Sequence, residues 1–245
     1  MIPRIIHQTW KNREIPEHLR EFQKSWLQQH PGWDYRLWDD ADNERLITEH
    51  YSEFRDHYLR SMPPILKVDL VRLAYLHRFG GIYADLDCEA LRPLDPLLSA
   101  GSIVVGRELK GIGRMMRGRD FIINALIISP PGHPLWLDIM RQMAAGYRPR
   151  RRFEPHPAHV IRMAVAVLDS AVEEYQTHHA DITVLPHAAF YPAPSNERLV
   201  ATRRRLAAAC DSYVIHHYED SWFSPLGKMV NAVQRIWQQC FARKS

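Results

Sequence analysis

Two spacings of apolar residues run through the chain, one of period two and one of helical period, and their alternation predicts the elements. "PRIIHQTW" reads as a short strand opened by a proline. In "PEHLREFQKSWLQQHP" the residues Leu19, Phe22, Trp26 and Leu27 share helical spacing, and Pro31 and Gly32 stop the helix. "DYRLWD" predicts a second strand, and the charged stretch 40–60 predicts two surface helices. "PPILKVDLVRLAYLHRFGG" opens with prolines suited to a first turn. It repeats apolar residues at Ile65, Leu66, Leu70, Leu73, Ala74 and Leu76 and closes on glycine, so it predicts a helix. Strands are predicted at "GIYADLD", "SIVVG" and "FIINALIIS", then a helix over 133–145. After the Pro/Arg-rich loop 147–157 come a long helix over 158–177, strands at "ITVLP" and "SYVIHH", and an amphipathic helix at about 225–243. Strands alternating with helices argue for an α/β fold, a mostly parallel sheet with helices on both faces, in which ligands gather at the carboxyl ends of the strands. With no repeat or low-complexity linker, residues 1–245 read as a single domain.

Composition narrows this picture little. At 46% hydrophobic and 24% charged residues, the chain has an ordinary globular balance. No apolar run is long enough to span a bilayer, and "MIPRIIHQTW" lacks the layout of a secretory signal, so a cytoplasmic location is expected. Cys88, Cys210 and Cys240 cannot all pair and show no metal-ligand spacing, which suits a reducing compartment. The formal charge of +4 concentrates in "GRMMRGRD", "YRPRRRF" and "TRRRL", which could meet phosphates or form solvated faces. No nucleic-acid partner is expected, because no binding motif or aromatic interleaving accompanies the arginines. Leu226, Met229, Val230, Val233, Ile236, Trp237 and Phe241 form the apolar side of the last helix, with Lys228, Arg235, Arg243 and Lys244 elsewhere. That helix suits packing on the domain, and it leaves peripheral contact with an anionic membrane face open.

The chemistry concentrates in "GGIYADLDCE". A strand places Tyr83, Asp85 and Asp87 on one face and Ile82, Ala84 and Leu86 on the other. Two carboxylates so close repel each other unless a cation or shared proton offsets them, and a hard divalent ion with oxygen ligands is the simplest offset. Gly80 and Gly81 permit a left-handed turn and would let a ligand approach the backbone. Asp69 and Arg72, three residues apart, share a helical face. They can form a local ion pair or present a guanidinium fork and a hydroxyl acceptor to a ligand.

This order, Asp69-x-x-Arg72 and then Gly80-Gly81-Ile82-Tyr83-x-Asp85-x-Asp87, resembles the DXD region of glycosyltransferase family thirty-two, which includes the yeast initiating mannosyltransferase. It is also similar to the glucosylating domain of large clostridial toxins. "IPRIIHQTW", "PGWDYRLWDD", "NALIISPPGHPLW" and "IHHYEDSW" extend the resemblance in order over most of the chain. The resemblance implies a GT-A fold and retaining, metal-dependent transfer from a nucleotide-sugar, UDP-linked by preference or GDP-mannose, to a glycan or glycolipid acceptor in surface polysaccharide or lipooligosaccharide synthesis. It further implies that Asp87, with Asp85 and His216, holds Mn2+ or Mg2+, and that Asp69 and Arg72 hold the donor sugar with Tyr83 beside them. Trp10 would stack the base above His7, Gln8 and Thr9, Asn124 would face donor or acceptor, and Ser221 and Trp222 would close over the diphosphate.

The match departs from the family at Ala164 and Val165, where a Gly-Pro pair is usual, and over 107–120, where the basic sequence matches no family motif and could serve an acceptor. The rival readings are a glycoside hydrolase, whose carboxylates would sit on separate elements about 5 Å or more apart, and a binding protein that keeps the pocket without turnover. An Asp-x-Asp phosphatase is disfavoured by Glu89, which stands where a small or branched residue belongs.

Overall fold

Strands β1 (Ile5–Thr9), β2 (Asp34–Trp38) and β3 (Gly81–Ala84) run parallel at one side of a six-stranded sheet of order β2-β1-β3-β6-β5-β7. The computed structural model describes residues 1–99, 102–109, 118–152, 154, 156–195, 197 and 199–219. Strand β6 (Ile122–Ser129) lies antiparallel to both β3 and β5 (Ile103–Arg107), and β5 pairs in parallel with β7 (Ile182–Leu185). Five strands therefore point one way and β6 alone is reversed, in keeping with the GT-A-like architecture expected. Strand β4 (Cys88–Ala90) leaves this sheet and forms a separate antiparallel ribbon with β8 (Val214–His216).

The strands are apolar on both sides because both faces are covered. Tyr83, Val105 and Ile127 join a core with Leu70, Leu73, Trp136 and Leu168 on one face. Ile82, Ala84, Val104 and Ile128 join Trp26, Cys88 and Tyr191 on the other. Helix α1 (Glu17–Gln29) supports the ribbon: Trp26 Nε1 donates to the Cys88 carbonyl at 2.8 Å, and Ser25 Oγ accepts from the Ala90 amide at 2.9 Å. Helix α2 (Asp40–His50), a 3-10 turn (Ser52–Phe54) and α3 (Arg55–Arg60) follow β2. They are less peripheral than their charge suggests, since Leu46, Ile47, Phe54 and Tyr58 are buried. Helix α4 (Pro64–Phe79) precedes β3; α5 (Asp95–Leu98) follows β4; and α6 (Pro134–Gly146) follows β6. The long helix predicted over 158–177 is α7 (His156–Val160), a π-helical turn (Ile161–Val165) and α8 (Ala166–Gln176) in continuity, then α9 (His187–Phe190) follows β7.

Three expectations are corrected. Gly80 and Gly81 have φ of +65° and +95°, but the space a side chain would need is filled by protein. A Cβ on Gly80 would lie 2.6 Å from Pro131 N, and one on Gly81 2.5 Å from the Ile5 carbonyl oxygen, so the pair serves helix–sheet packing rather than ligand access. The acidic residues do not extend β3: the strand ends at Ala84, and Asp85, Leu86 and Asp87 form a turn in which the Cys88 amide donates to the Asp85 carbonyl at 2.9 Å. Third, "TRRRL" lies within a helix the sequence did not announce, α10 (Val200–Cys210). Arg203 is buried and donates to the carbonyls of Glu197 and His216, while Arg204 pairs with Glu21 and Glu89. Two of these arginines hold the fold together instead of facing an anionic partner.

Candidate active site

Helix α4 and the end of β3 build the first half of the site. Asp69 and Arg72 form a buried ion pair at 3.0 Å, with 4% and 3% of their side chains exposed. Arg72 also approaches Asp85 Oδ1 at 3.3 Å and donates to the Asn124 carbonyl at 2.7 Å. Asn124 Nδ2 donates to Asp69 Oδ1 at 2.8 Å, and the Tyr83 hydroxyl donates to Asp85 Oδ1 at 2.6 Å. Arg72 lies over the Tyr83 ring, 4.6 Å from its centroid. Four residues predicted from three segments, Asp69, Tyr83, Asp85 and Asn124, are thus brought together around the Arg72 guanidinium. Burial pushes Asp69 up to about 6, against the opposing pull of Arg72. Its Oδ2 is buried with no hydrogen-bond partner among the described residues. Such an atom is costly to leave unsatisfied, and it is suited to accept from a ligand hydroxyl.

The acidic turn and the ribbon build the second half. In the β4–β8 register Cys88 stands opposite His216, so their side chains share a face, and Glu89 and His217 occupy the other. His216 Nε2 lies 3.3 Å from Asp87 Oδ1, and the Glu219 amide donates to Asp87 Oδ2 at 2.9 Å. That amide arrives because Tyr218, just before it, adopts φ +52°, a backbone state uncommon for a non-glycine residue. Burial raises the Asp87 pKa, but His216 and the Glu219 amide outweigh it and leave the group at about 2, ionised. The Asp87 carboxylate, Cys88 Sγ and a His216 ring nitrogen all lie within 4.8 Å of one another, the one such group with metal-ligand character among the described residues. Asp85 stands outside this group, because its Oδ1 is taken by Tyr83 and Arg72.

The predicted base-binding stretch divides. His7 receives a hydrogen bond from Trp38 Nε1 on Nδ1 (3.1 Å) and therefore donates from Nε2 to the Gly80 carbonyl (2.9 Å). Both ring nitrogens are engaged, and burial pushes its pKa down to about 4. Thr9 Oγ1 donates to the Trp38 carbonyl and accepts from Asn43. Gln8 accepts from the Tyr35 hydroxyl and donates to the Asp85 carbonyl at 3.1 Å, so it braces the acidic turn from behind. Only Trp10 has an unused group, a buried Nε1 with no partner among the described residues. Ser221, Trp222, the helix over 225–243 and residues 110–117 of the basic loop lie outside the described residues. The rest of that loop is tied down: Arg119 holds Asp169 in a fork at 2.9 and 2.7 Å, and Arg107 pairs with Glu173.

Two residues at the site gave no usable signal in the sequence. Cys88 shows no metal-ligand spacing with the other cysteines, and His216, which faces it across the ribbon, lies far off in the sequence. Glu108, just after β5, is buried and pushed up to about 7 by desolvation, against the opposing pull of His216. No local pattern in the sequence joins it to His216.

Residues 16–103 match the family described as the glycosyltransferase sugar-binding region containing a DXD motif, and residues 128–238 match the alpha 1,4-glycosyltransferase conserved region. Residues 16–103 thus carry a DXD-containing glycosyltransferase sugar-binding region. It is 37% identical over 155 residues to inositol phosphoceramide mannosyltransferase 3 of Schizosaccharomyces pombe, covering 63% of this chain and 39% of that protein. Mannosyl phosphorylinositol ceramide synthase SUR1 of Saccharomyces cerevisiae is 35% identical, over 58% of this chain and 35% of its own length. The chain therefore spans well under half of these two relatives. Among solved structures, the PaToxG glycosyltransferase superposes with a TM-score of 0.51 at 16% identity, covering 72% of this chain and 70% of that one, which shows the shared fold. No helix among the described residues is long and apolar enough to cross a membrane.

Proposed function

We propose that this chain transfers a hexose from a nucleoside-diphosphate sugar to a hydroxyl of a glycan or glycolipid, with retention at the sugar carbon. The observation that carries the reading is the Asp69–Arg72–Asp85 cluster, in which the buried Asp69 Oδ2 has no hydrogen-bond partner among the described residues. Asp69 Oδ2 accepts a donor-sugar hydroxyl, and Arg72 holds both carboxylates in place and opposes the rise in pKa that burial imposes on them. Asp85, fixed by Tyr83 and Arg72, is a positioning carboxylate rather than a free nucleophile. The acceptor oxygen therefore enters on the leaving-group side, forms the new C–O bond as the sugar–phosphate bond breaks, and passes its proton to the departing phosphate. Trp10 offers the flat surface for the base.

Asp87 and His216 are the residues that would hold a divalent ion, manganese or magnesium, which stabilises negative charge on a diphosphate leaving group when bound. The ionised state of Asp87 and its closeness to a histidine nitrogen fit that role. One relative is named an inositol phosphoceramide mannosyltransferase and the other a mannosyl phosphorylinositol ceramide synthase, which makes GDP-mannose the first donor to test and a phosphorylated lipid headgroup the first acceptor class.

A thermal-shift panel of GDP-mannose, UDP-glucose and a CMP-sugar, each with and without Mn2+, tests the donor. A donor at about a hundredfold excess over its dissociation constant contributes about 2.7 kcal/mol, a visible shift. Asp87→Asn is expected to abolish the metal-dependent part, and Asp69→Asn to abolish the sugar-dependent part while Mn2+ alone still binds. A panel in which no nucleotide-sugar moves the midpoint, with or without metal, sinks the reading. Release of free sugar from simple glycosides would replace it with a hydrolase.

A further inference from the structure

The donor set beside the acidic turn is not the oxygen-only set that a hard cation prefers. Asp87 supplies a carboxylate, His216 an imidazole nitrogen and Cys88 a sulfur, all within 4.8 Å of one another. Cys88 reaches this position by construction rather than by chance packing. It is the cross-strand partner of His216 in the β4–β8 ribbon, and the backbone of the same ribbon carries Asp87, whose carbonyl accepts from the His217 amide at 3.0 Å. The ribbon is held rigidly from behind: the Cys88 carbonyl is capped by Trp26, and Glu89 is bonded to His217 at 2.9 Å and to Arg204. The thiol is fully buried beside apolar side chains and makes a single weak donation, to the Ala125 carbonyl at 3.7 Å.

We propose that Asp87, Cys88 and His216 form a three-donor site for a thiophilic divalent cation, zinc foremost, which competes with the hard ion of the donor reading. This rests on that reading only in sharing Asp87 and His216; it does not require that sugar be transferred. Zinc takes sulfur at about 2.3 Å and nitrogen or oxygen at about 2.0–2.2 Å, so tetrahedral donors stand about 3.3–3.8 Å apart. The Asp87–His216 pair is already at 3.3 Å, and Cys88 Sγ lies within 4.8 Å of both donor atoms. On binding, the Cys88 S–H bond breaks, the sulfur–zinc bond forms and the proton leaves to water. Three protein donors leave a four-coordinate ion one open position, whereas a hard ion keeps several oxygen positions for water and phosphate. Thiolate and imidazole donors favour zinc over manganese, so the site discriminates in the direction opposite to the one donor binding needs.

Cobalt titration of the full chain, with Cys210 and Cys240 replaced by serine, tests this without reference to activity. The expected result is a near-ultraviolet sulfur-to-cobalt charge-transfer band together with the visible bands of low-coordinate cobalt. Cys88→Ala should remove the charge-transfer band and weaken zinc binding about tenfold or more in competition with a chelating dye. Its manganese affinity, read by electron paramagnetic resonance, should change by less than about twofold. Cobalt binding without a thiolate band in the Cys88-containing protein overturns the proposal, whatever becomes of the variant. So does a zinc affinity that Cys88→Ala leaves unchanged. If the thiolate band appears and no nucleotide-sugar binds, the zinc site stands and the transferase reading falls.

Discussion

The two halves of the site are built to different standards of completion. Around Arg72, Asp69 and the guanidinium are buried on one helix with Asp69 Oδ2 the polar atom left over, and Asp85, 26% exposed on the turn after β3, is tied back to Arg72 and Tyr83 through Oδ1. Around Asp87, the side chains sit on a turn and a short ribbon, and His216 Nδ1 is buried without a partner among the described residues. The first half is preorganised by the fold itself, and its geometry does not wait for a ligand. The second gathers a carboxylate, a thiol and an imidazole with little to balance them, an arrangement that a cation completes. A preorganised sugar side and an ion-dependent phosphate side are what transfer from a diphosphate sugar calls for.

The sharpest way to break this contrast is to remove the guanidinium. Arg72→Leu leaves Asp69 and Asp85 facing each other in a buried pocket, and the loss of one partner of a buried pair costs about 3–5 kcal/mol. Urea unfolding should show that loss, and combining Arg72→Leu with Asp69→Asn should recover part of it. Asp87→Asn should cost far less, because it removes a charge from the half-built side. Equal losses for the two single variants would erase the distinction between the halves.

Acid titration sharpens it next. Asp69 has a folded pKa of about 6 against 3.8 unfolded, so the folded state binds the proton better and this group adds stability as pH falls from 6 towards 3.8. His7 has a folded pKa of about 4 against 6.5, so its contribution is full above pH 6.5 and is lost as pH falls towards 4. Each amounts to about 2–3 kcal/mol between pH 7 and 4, with opposite signs. Relative to wild type, Asp69→Asn should steepen the loss of stability in acid and His7→Gln should flatten it, as read from urea midpoints across that range. Parallel profiles for all three proteins would show that neither group is held as the structure has it.

Much of the preorganised half was legible in the sequence because its cues are local. Asp69 and Arg72 are one helical turn apart, Gly80 and Gly81 mark the turn into β3, and Tyr83 and Asp85 follow within the same strand exit. The ion side was not legible to the same degree. Its acidic turn looks like continued strand, since Tyr83-Ala84-Asp85-Leu86-Asp87 keeps a period of two although the backbone turns after Ala84. Its ribbon pairs Cys88–Ala90 with Val214–His216, a contact no local pattern encodes. Helix α10 was missed for a related reason: "TRRRL" reads as charge, and only its neighbours β4 and β8 show that Arg203 is buried. The resemblance implied a place for His7 beside the base, but the pleat turns it into the core, 5.5 Å from the Tyr75 ring.

The smallest effect tests how the ribbon is held. Arg204 bridges Glu21 at 2.5 Å and Glu89 at 2.9 Å, but 40% of its side chain is exposed. Solvent screens such a pair, and Glu89 keeps its bond to His217 at 2.9 Å without it. Arg204→Met should therefore cost about 0.5–1 kcal/mol in urea unfolding. The manganese dissociation constant should barely move, because Asp87 and His216 are positioned by the turn and the strand pairing rather than by this arginine. A loss near that of Arg72→Leu would mean that Glu89 needs a second cation to stay buried. The ion side would then be a charge network as tightly coupled as the sugar side, and the difference in construction between them would disappear.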